Sequence, residues 1–81
     1  MYDLRQFLDK FVVYTNDSEI IRALEKENFK VLTVIHVMKK VFAKEFIFLL
    51  PGRMTQTVFE AKKYIRRILG RCLPRRKRKK N

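Results

Sequence analysis

The segment that most restricts how this chain can fold is residues 58–72, where apolar side chains recur at helical spacing. At about 100° per residue, the apolar residues cluster on one side of a helical wheel: Val58, Ala61, Ile65, Ile68, Leu69 and Cys72. Four basic residues fall on the other side: Lys63, Arg66, Arg67 and Arg71. The pattern predicts a closing helix, ending between Gly70 and Pro74, that packs one side and exposes the other.

Positive charge continues past this helix into residues 74–80, which read PRRKRKK. From residue 62 to residue 80 the chain has no acidic residue and eleven basic ones: Lys62, Lys63, Arg66, Arg67, Arg71, Arg75, Arg76, Lys77, Arg78, Lys79 and Lys80. The formal net charge is +12, of which residues 1–40 contribute +1 and residues 41–81 contribute +11. A strongly anionic partner is therefore expected, and nucleic acid is the first candidate.

The first part of the chain predicts a helix, a strand and a second helix. Helical spacing predicts a short opening helix, with Asp3 and Gln6 placed as a capping pair, on the residues Leu4, Phe7, Leu8 and Phe11. Residues 11–15 (FVVYT) are β-branched or aromatic and predict a strand. Asp17 or Ser18 can cap the helix that follows, and that helix should end near Asn28.

Two further strands are expected in the middle of the chain. Residues 30–38 are apolar at nearly every position, which is typical of a central strand covered on both faces. Residues 45–50 (EFIFLL) predict another strand, closed by the turn signal Pro51-Gly52. The connection over residues 38–45 fits either a hairpin with its tip at Lys39-Lys40 or a short helix, because its apolar residues also satisfy helical spacing.

In order, these elements predict a small α/β domain of the α+β kind over residues 1–73. Its topology would be (α)βαββα, with a three-stranded sheet packed on helices and a disordered basic tail at residues 74–81. If both long helices lie on one sheet face, the opposite face is bare. Either Val12 and Tyr14 or Phe46 and Phe48 would then need a partner, and a homodimer is one candidate.

Cysteine usage and hydropathy restrict the class of protein. Cys72 is the only cysteine, so one chain forms neither an internal disulfide nor a cysteine-based metal site. Residues 1–10 lack the basic start and apolar block of a signal peptide. No apolar run approaches the roughly 20 residues that span a bilayer. We expect a cytoplasmic protein, nuclear if eukaryotic, with no cofactor, metal or small-molecule substrate.

Several side chains allow both a functional and a structural interpretation. Phe59 lies among the basic residues of the closing helix, where it can stack on an unpaired base, although packing against the opening segment or a second subunit is favoured. Phe46 and Phe48 share one strand face, and core or dimer interface is favoured over base stacking. His36 is expected to be a hydrogen-bonded structural imidazole and Cys72 an inert thiol.

The interpretation favoured by these patterns is a non-enzymatic nucleic-acid-binding protein, with RNA slightly ahead of DNA. The closing helix would orient the partner, and the tail would add reach and affinity. A first alternative is a dimeric protein-interaction regulator, of viral or plasmid type, that acts through an apolar sheet face. A second is a small ribonuclease-type toxin that uses His36 and Glu60, although the spacing of these residues does not point to it.

Overall fold

The computed structural model describes residues 1–73. Its elements are β1 (Tyr2–Phe7), β2 (Lys10–Thr15), α1 (Ser18–Lys26), β3 (Lys30–Val37), β4 (Lys40–Phe48) and α2 (Val58–Cys72). The strands form one sheet in the order β1-β2-β4-β3, and every neighbouring pair is antiparallel. The small α+β architecture is confirmed, but the sheet has four strands rather than three. The predicted tail lies outside the described residues.

The predicted opening helix is wrong, because that segment is strand β1. It pairs with β2 from Tyr2 opposite Thr15 to Phe7 opposite Lys10. Tyr2 and Leu4 pack against the core, while the alternating residues Asp3 and Arg5 lie on the other side of the sheet. Tyr2 and Leu4 fit the period of two of a strand, whereas Leu4, Phe7 and Leu8 fit a helical period, and pairing with β2 decides between them.

The prediction that residues 30–38 form the central strand is also wrong. Strand β3 lies at an edge and pairs only with β4, which is inserted between β2 and β3. The connection between β3 and β4 is a two-residue hairpin rather than a helix. Its tip residues Met38 and Lys39 have φ angles of 52° and 68°, as a type I′ turn requires of both central residues.

Helix α1 starts where its capping chemistry predicts. The Asp17 side chain accepts hydrogen bonds from the backbone N–H of Glu19 at 2.9 Å and of Ile20 at 3.4 Å. These bonds, led by the one from Glu19, hold the pKa of Asp17 below its ordinary value. The helix ends at Lys26, and Asn28 follows with a φ of 65°, a left-handed conformation common after helices.

Both helices pack on one face of the sheet and form the core with it. The fully buried aromatic residues Phe11 and Phe46 come from β2 and β4, and Leu24 and Ile65 come from α1 and α2. The Phe48 ring packs against Phe11, Phe29 and Tyr64, with centroid separations of 5.8, 5.0 and 5.9 Å. Phe46 and Phe48 therefore belong to the core, as favoured, and a base-stacking role is excluded for the buried Phe46.

The sheet face turned away from the helices is open. Val12 and Tyr14 lie on it, because they alternate with the core residues of β2. Val12 is nevertheless buried, flanked by its cross-strand neighbours Arg5 and Ile47. The Arg5 guanidinium forms an ion pair with Glu45 at 3.2 Å across this face. The open face is thus mixed in polarity rather than continuously apolar.

Candidate nucleic-acid interface

Helix α2 is anchored so that one side is held against the core. Thr57 is its N-cap, and the Thr57 hydroxyl accepts a hydrogen bond from the Glu60 N–H at 3.2 Å. Ala61, Ile65 and Ile68 are buried, and the rest of the predicted stripe, Val58, Leu69 and Cys72, is partly buried against them. The predicted packing side of this helix is confirmed, and these contacts hold the helix on the core.

The other side of α2 is an exposed cationic surface, which we call the basic face: Lys62, Lys63, Arg66, Arg67 and Arg71. With a rise of about 1.5 Å per residue, these side chains originate along about 14 Å of helix axis. One strand of duplex DNA advances about 3.4 Å per phosphate, so the basic face matches the length of about four phosphates. It holds the five predicted binding residues that lie within the described chain.

Ion pairs compensate only part of the basic face. The Lys63 ammonium lies 3.8 Å from a Glu60 carboxylate oxygen, and an Arg71 guanidinium nitrogen lies 3.5 Å from one of Glu27. Both pairs are at the surface, where such interactions contribute about 0–1 kcal/mol and exchange readily for another anion. Within residues 1–73 no carboxylate pairs with the three remaining members, Lys62, Arg66 and Arg67.

Phe59 is exposed within this surface rather than packed on the opening segment. Its side chain is 67% exposed, and the Lys63 ammonium lies 5.0 Å from the ring centroid. Packing against the opening segment, one of the two favoured interpretations, is therefore wrong, while packing against a second subunit stays a prediction. One reason is that the helical wheel places Phe59 between Lys62 and Lys63, on the side opposite the core stripe. Stacking on a base stays a prediction.

Two cations that the sequence analysis did not single out lie beside the end of α2. Arg22 and Lys26 of α1 are exposed, one helical turn apart, and line a depression together with Glu19, Cys72 and Leu73. In the sequence, the acidic residues of the same segment balance the charge of these two cations, so the segment has no net positive charge. In the fold, however, Glu25 pairs with Lys44 of β4 and Glu27 with Arg71. Arg22 and Lys26 therefore extend the basic surface toward the point where residues 74–81 begin.

The six remaining predicted binding residues belong to the tail and lie outside the described residues: Arg75, Arg76, Lys77, Arg78, Lys79 and Lys80. Leu73 is the last described residue, and it packs against the core. Leu73 lines a depression with Lys26, where the C-terminal ends of α1 and α2 meet.

The candidate reactive side chains lie apart: Glu60 and Cys72 are at opposite ends of α2, and His36 is on β3. The Cys72 thiol donates to Glu27 Oε2 at 3.4 Å. Burial, together with this bond and the Glu27 charge, raises the pKa of the thiol, so it stays protonated at neutral pH. His36 is exposed on the edge strand β3, so the expectation of a structural imidazole is wrong. Glu60 lies in the first turn of α2, beside Lys63.

Further comparisons leave the function to be inferred from the residues and their geometry. No group of three or more metal-binding side chains comes together within residues 1–73. No helix in the same part of the chain is long and apolar enough to cross a membrane. No protein-family model matches the sequence, and no curated protein or solved structure is significantly similar to it.

Proposed function

We propose that this protein binds nucleic acid without catalysing a reaction, with RNA slightly favoured over DNA. The observation that carries the proposal is the basic face of α2. Three of its cations have no carboxylate partner within residues 1–73, and the helix is held against the core by Ile65 and Ile68. The chain then continues into six more basic residues without an intervening acid.

The mechanism is neutralisation of backbone phosphates with release of their counterions. Arg66 and Arg67 each offer a planar fork of donors that fits a phosphate, and Lys62 offers a compact point charge. Engagement of about six to eight phosphates gives a slope of log K against log salt of roughly −5 to −7 on duplex DNA, and a shallower slope on single strands. Affinity should depend weakly on sequence, because phosphates carry no sequence information.

The basic face and the tail have different roles in this proposal. The basic face is rigid, because the opposite side of the helix is part of the core, so it orients the partner. The tail adds reach and affinity, since a basic segment needs no fold of its own to follow a phosphate backbone. This division predicts that changes on α2 alter how the partner docks, and that changes in the tail mainly weaken binding.

RNA is favoured because a compact body with a basic extension fits irregular, folded strands. Phe59 supports this choice, because it is exposed within the basic face, where an unpaired base can reach it. Stacking of a base on an aromatic ring contributes about 1–3 kcal/mol. Unpaired bases are found in RNA loops and bulges and are rare in duplex DNA.

The test is a salt titration of binding by fluorescence anisotropy, with a labelled RNA hairpin, a single-stranded RNA and a duplex DNA of matched length. We expect steep linear plots of log K against log salt for all three, with the RNA hairpin bound most tightly. Replacement of its loop sequence should change the affinity little. A flat titration between about 50 and 200 mM salt would refute the proposal.

No specific observation favours the ribonuclease alternative, because His36 lies on the sheet edge and Glu60 pairs with Lys63 at the start of α2. The alternative of a protein-interaction regulator, in contrast, has an observation in its favour. Exposed apolar residues on β3 and β4 favour a protein contact at that edge of the sheet. Such a contact can coexist with nucleic-acid binding, because α2 packs toward β1 at the other edge.

A further inference from the structure

The two edges of the sheet are built differently. Strand β1 carries Asp3 and Arg5 along its length, and charged side chains of this kind discourage pairing with another strand. Strand β3 has no charged residue after Lys30, and the next one along the chain is Lys39 at the hairpin tip. Since β3 pairs only with β4, the main-chain groups on its other side are available to a further strand.

Strand β3 and the adjoining end of β4 also expose apolar side chains. The exposed large apolar residues of this hairpin are Val31, Leu32, Val34, Val37, Met38, Val41 and Phe42. Met38 at the tip is 90% exposed. Monomeric proteins rarely leave so many apolar side chains exposed in one region, and such patches mark contacts with other molecules.

We propose that the occupant of this edge is a second copy of the same chain, paired β3 to β3 in antiparallel orientation about a two-fold axis. Two-fold pairing is self-complementary, so the segment 31–37, which has no charged residue, meets an identical segment. The two four-stranded sheets would join into one sheet of eight strands. This inference does not rest on nucleic-acid binding, because it uses the sheet edge farthest from β1, the strand toward which α2 packs.

The faces on which β3 residues lie limit the possible registers, and the centre of the segment 31–37, which has no charged residue, selects the one with Val34 at the axis. Thr33 is opposite Glu45 and Ile35 is opposite Ala43, so both lie on the open face. Directly opposed residues of an antiparallel pair share a face, so Thr33 should meet Ile35 of the partner subunit. The two-fold axis then passes beside Val34, which meets the partner's Val34. The β3–β4 pairing is irregular between Val31 and Thr33 and again between Ile35 and His36, so the regular centre of the contact is the three residues 33–35.

The size of the contact fits a weak dimer, because its upper limit stays just below the area of a stable specific interface. Eight residues of β3 span about 26 Å at about 3.3 Å per residue, and the shortest dimension of the molecule is 18 Å. A strip of that size covers up to about 470 Å² per copy, or about 900 Å² in total, close to the roughly 1,000 Å² that specific interfaces exceed. The apolar side chains of Met38 and Phe42 can add to it.

The first test is the molar mass of the full chain in sedimentation equilibrium, from about 1 to about 200 µM protomer, without nucleic acid. Salt at about 0.5 M screens the repulsion between two basic subunits. We expect a dimer at the upper concentrations. Val34→Lys should yield a monomer, since it places two ammonium groups together at the axis, whereas the matched control Gln6→Lys on β1 should behave as the wild type. Circular dichroism shows whether each variant is folded.

A second test keeps the edge uncharged and measures the register. In a Cys72→Ser background, Val34→Cys should form a disulfide-linked dimer under mild oxidation, because directly opposed residues have Cα separations of about 4.5–5.5 Å, within disulfide range. Gln6→Cys in the same background should stay monomeric. A wild-type monomer at the highest concentration, a folded Val34→Lys dimer, or equal cross-linking at both positions would overturn the proposal.

Discussion

Removal of two arginines from the basic face tests whether α2 itself contacts phosphates. The change is Arg66→Gln with Arg67→Gln, two exposed residues that have no carboxylate partner within residues 1–73. Glutamine has a helix propensity close to that of arginine, and substitutions at such exposed positions usually change stability by less than about 0.5 kcal/mol. The variant should therefore fold normally, and any change in binding reflects the lost charges.

The expected magnitude follows from counterion release. Each phosphate contact contributes about 0.9 to the slope of log K against log salt on duplex DNA and about 0.7 on single strands. Loss of two contacts should make the slope shallower by about 1.8 on the duplex and about 1.4 on single-stranded RNA. Between about 50 and 200 mM salt, the wild type should lose roughly 12-fold more of its duplex affinity than the variant loses.

The matched control is Lys39→Gln with Lys40→Gln, at the hairpin tip on the opposite edge of the sheet from β1. Both double variants lower the formal net charge of +12 by two, so a purely global effect of charge would act on them equally. The assay is fluorescence anisotropy with one labelled duplex and one labelled single-stranded RNA. Equal slopes for the two double variants would refute a direct role of α2.

Three further predictions concern the tail, a helix cap and the thiol. Replacement of the six basic residues of the tail by glutamine should weaken binding to every nucleic acid and reduce the salt slope by more than the α2 variant does; an unchanged slope would exclude tail contacts. Asp17→Ala should lower the free energy of unfolding by about 1 kcal/mol, seen as a fall in Tm of about 4–8 °C, whereas Asp17→Asn keeps the cap. Since the folded pKa of Asp17 lies below its ordinary value, its carboxylate stabilises the fold above the unfolded pKa of about 3.9, and this contribution is lost as pH falls through the folded pKa. Urea unfolding as a function of pH should show that loss in the wild type and lack it in Asp17→Asn. Glu27→Gln should lower the raised pKa of the Cys72 thiol and speed its alkylation at pH 8; an unchanged rate would mean that Glu27 does not act on the thiol.

Local chemistry was sufficient to predict helices α1 and α2 and, for α2, which side packs against the core. The stripe from Val58 to Cys72 repeats at the helical period, and that period belongs to a single segment of chain. The caps at Asp17 and Thr57 act on N–H groups two or three residues away. Such signals need no knowledge of the rest of the fold. The separation of a buried side from the basic face of α2 was therefore readable from the sequence.

Strand neighbours were decided only by the tertiary structure. The segment with Leu4 and Phe7 fits a helix or a strand by local pattern, and its pairing with β2 makes it a strand. The apolar run of β3 is typical of a central strand, yet β4 takes the central place because it carries the core residues Phe46 and Phe48. Pairing partners are distant in the chain, so no local pattern contains them.

For the candidate site, too, the sequence determined one part and the fold decided the other. The sequence alone determined that positive charge is concentrated on α2 and in the tail, because charge is counted residue by residue. Only the fold shows which charges are compensated, since Glu25 pairs with Lys44 and Glu27 with Arg71 across different elements. The fold also brings Arg22 and Lys26 beside the end of α2 and leaves Phe59 exposed. Composition indicates the anionic partner that we propose, and side-chain proximity, set by packing, decides which cations can meet it.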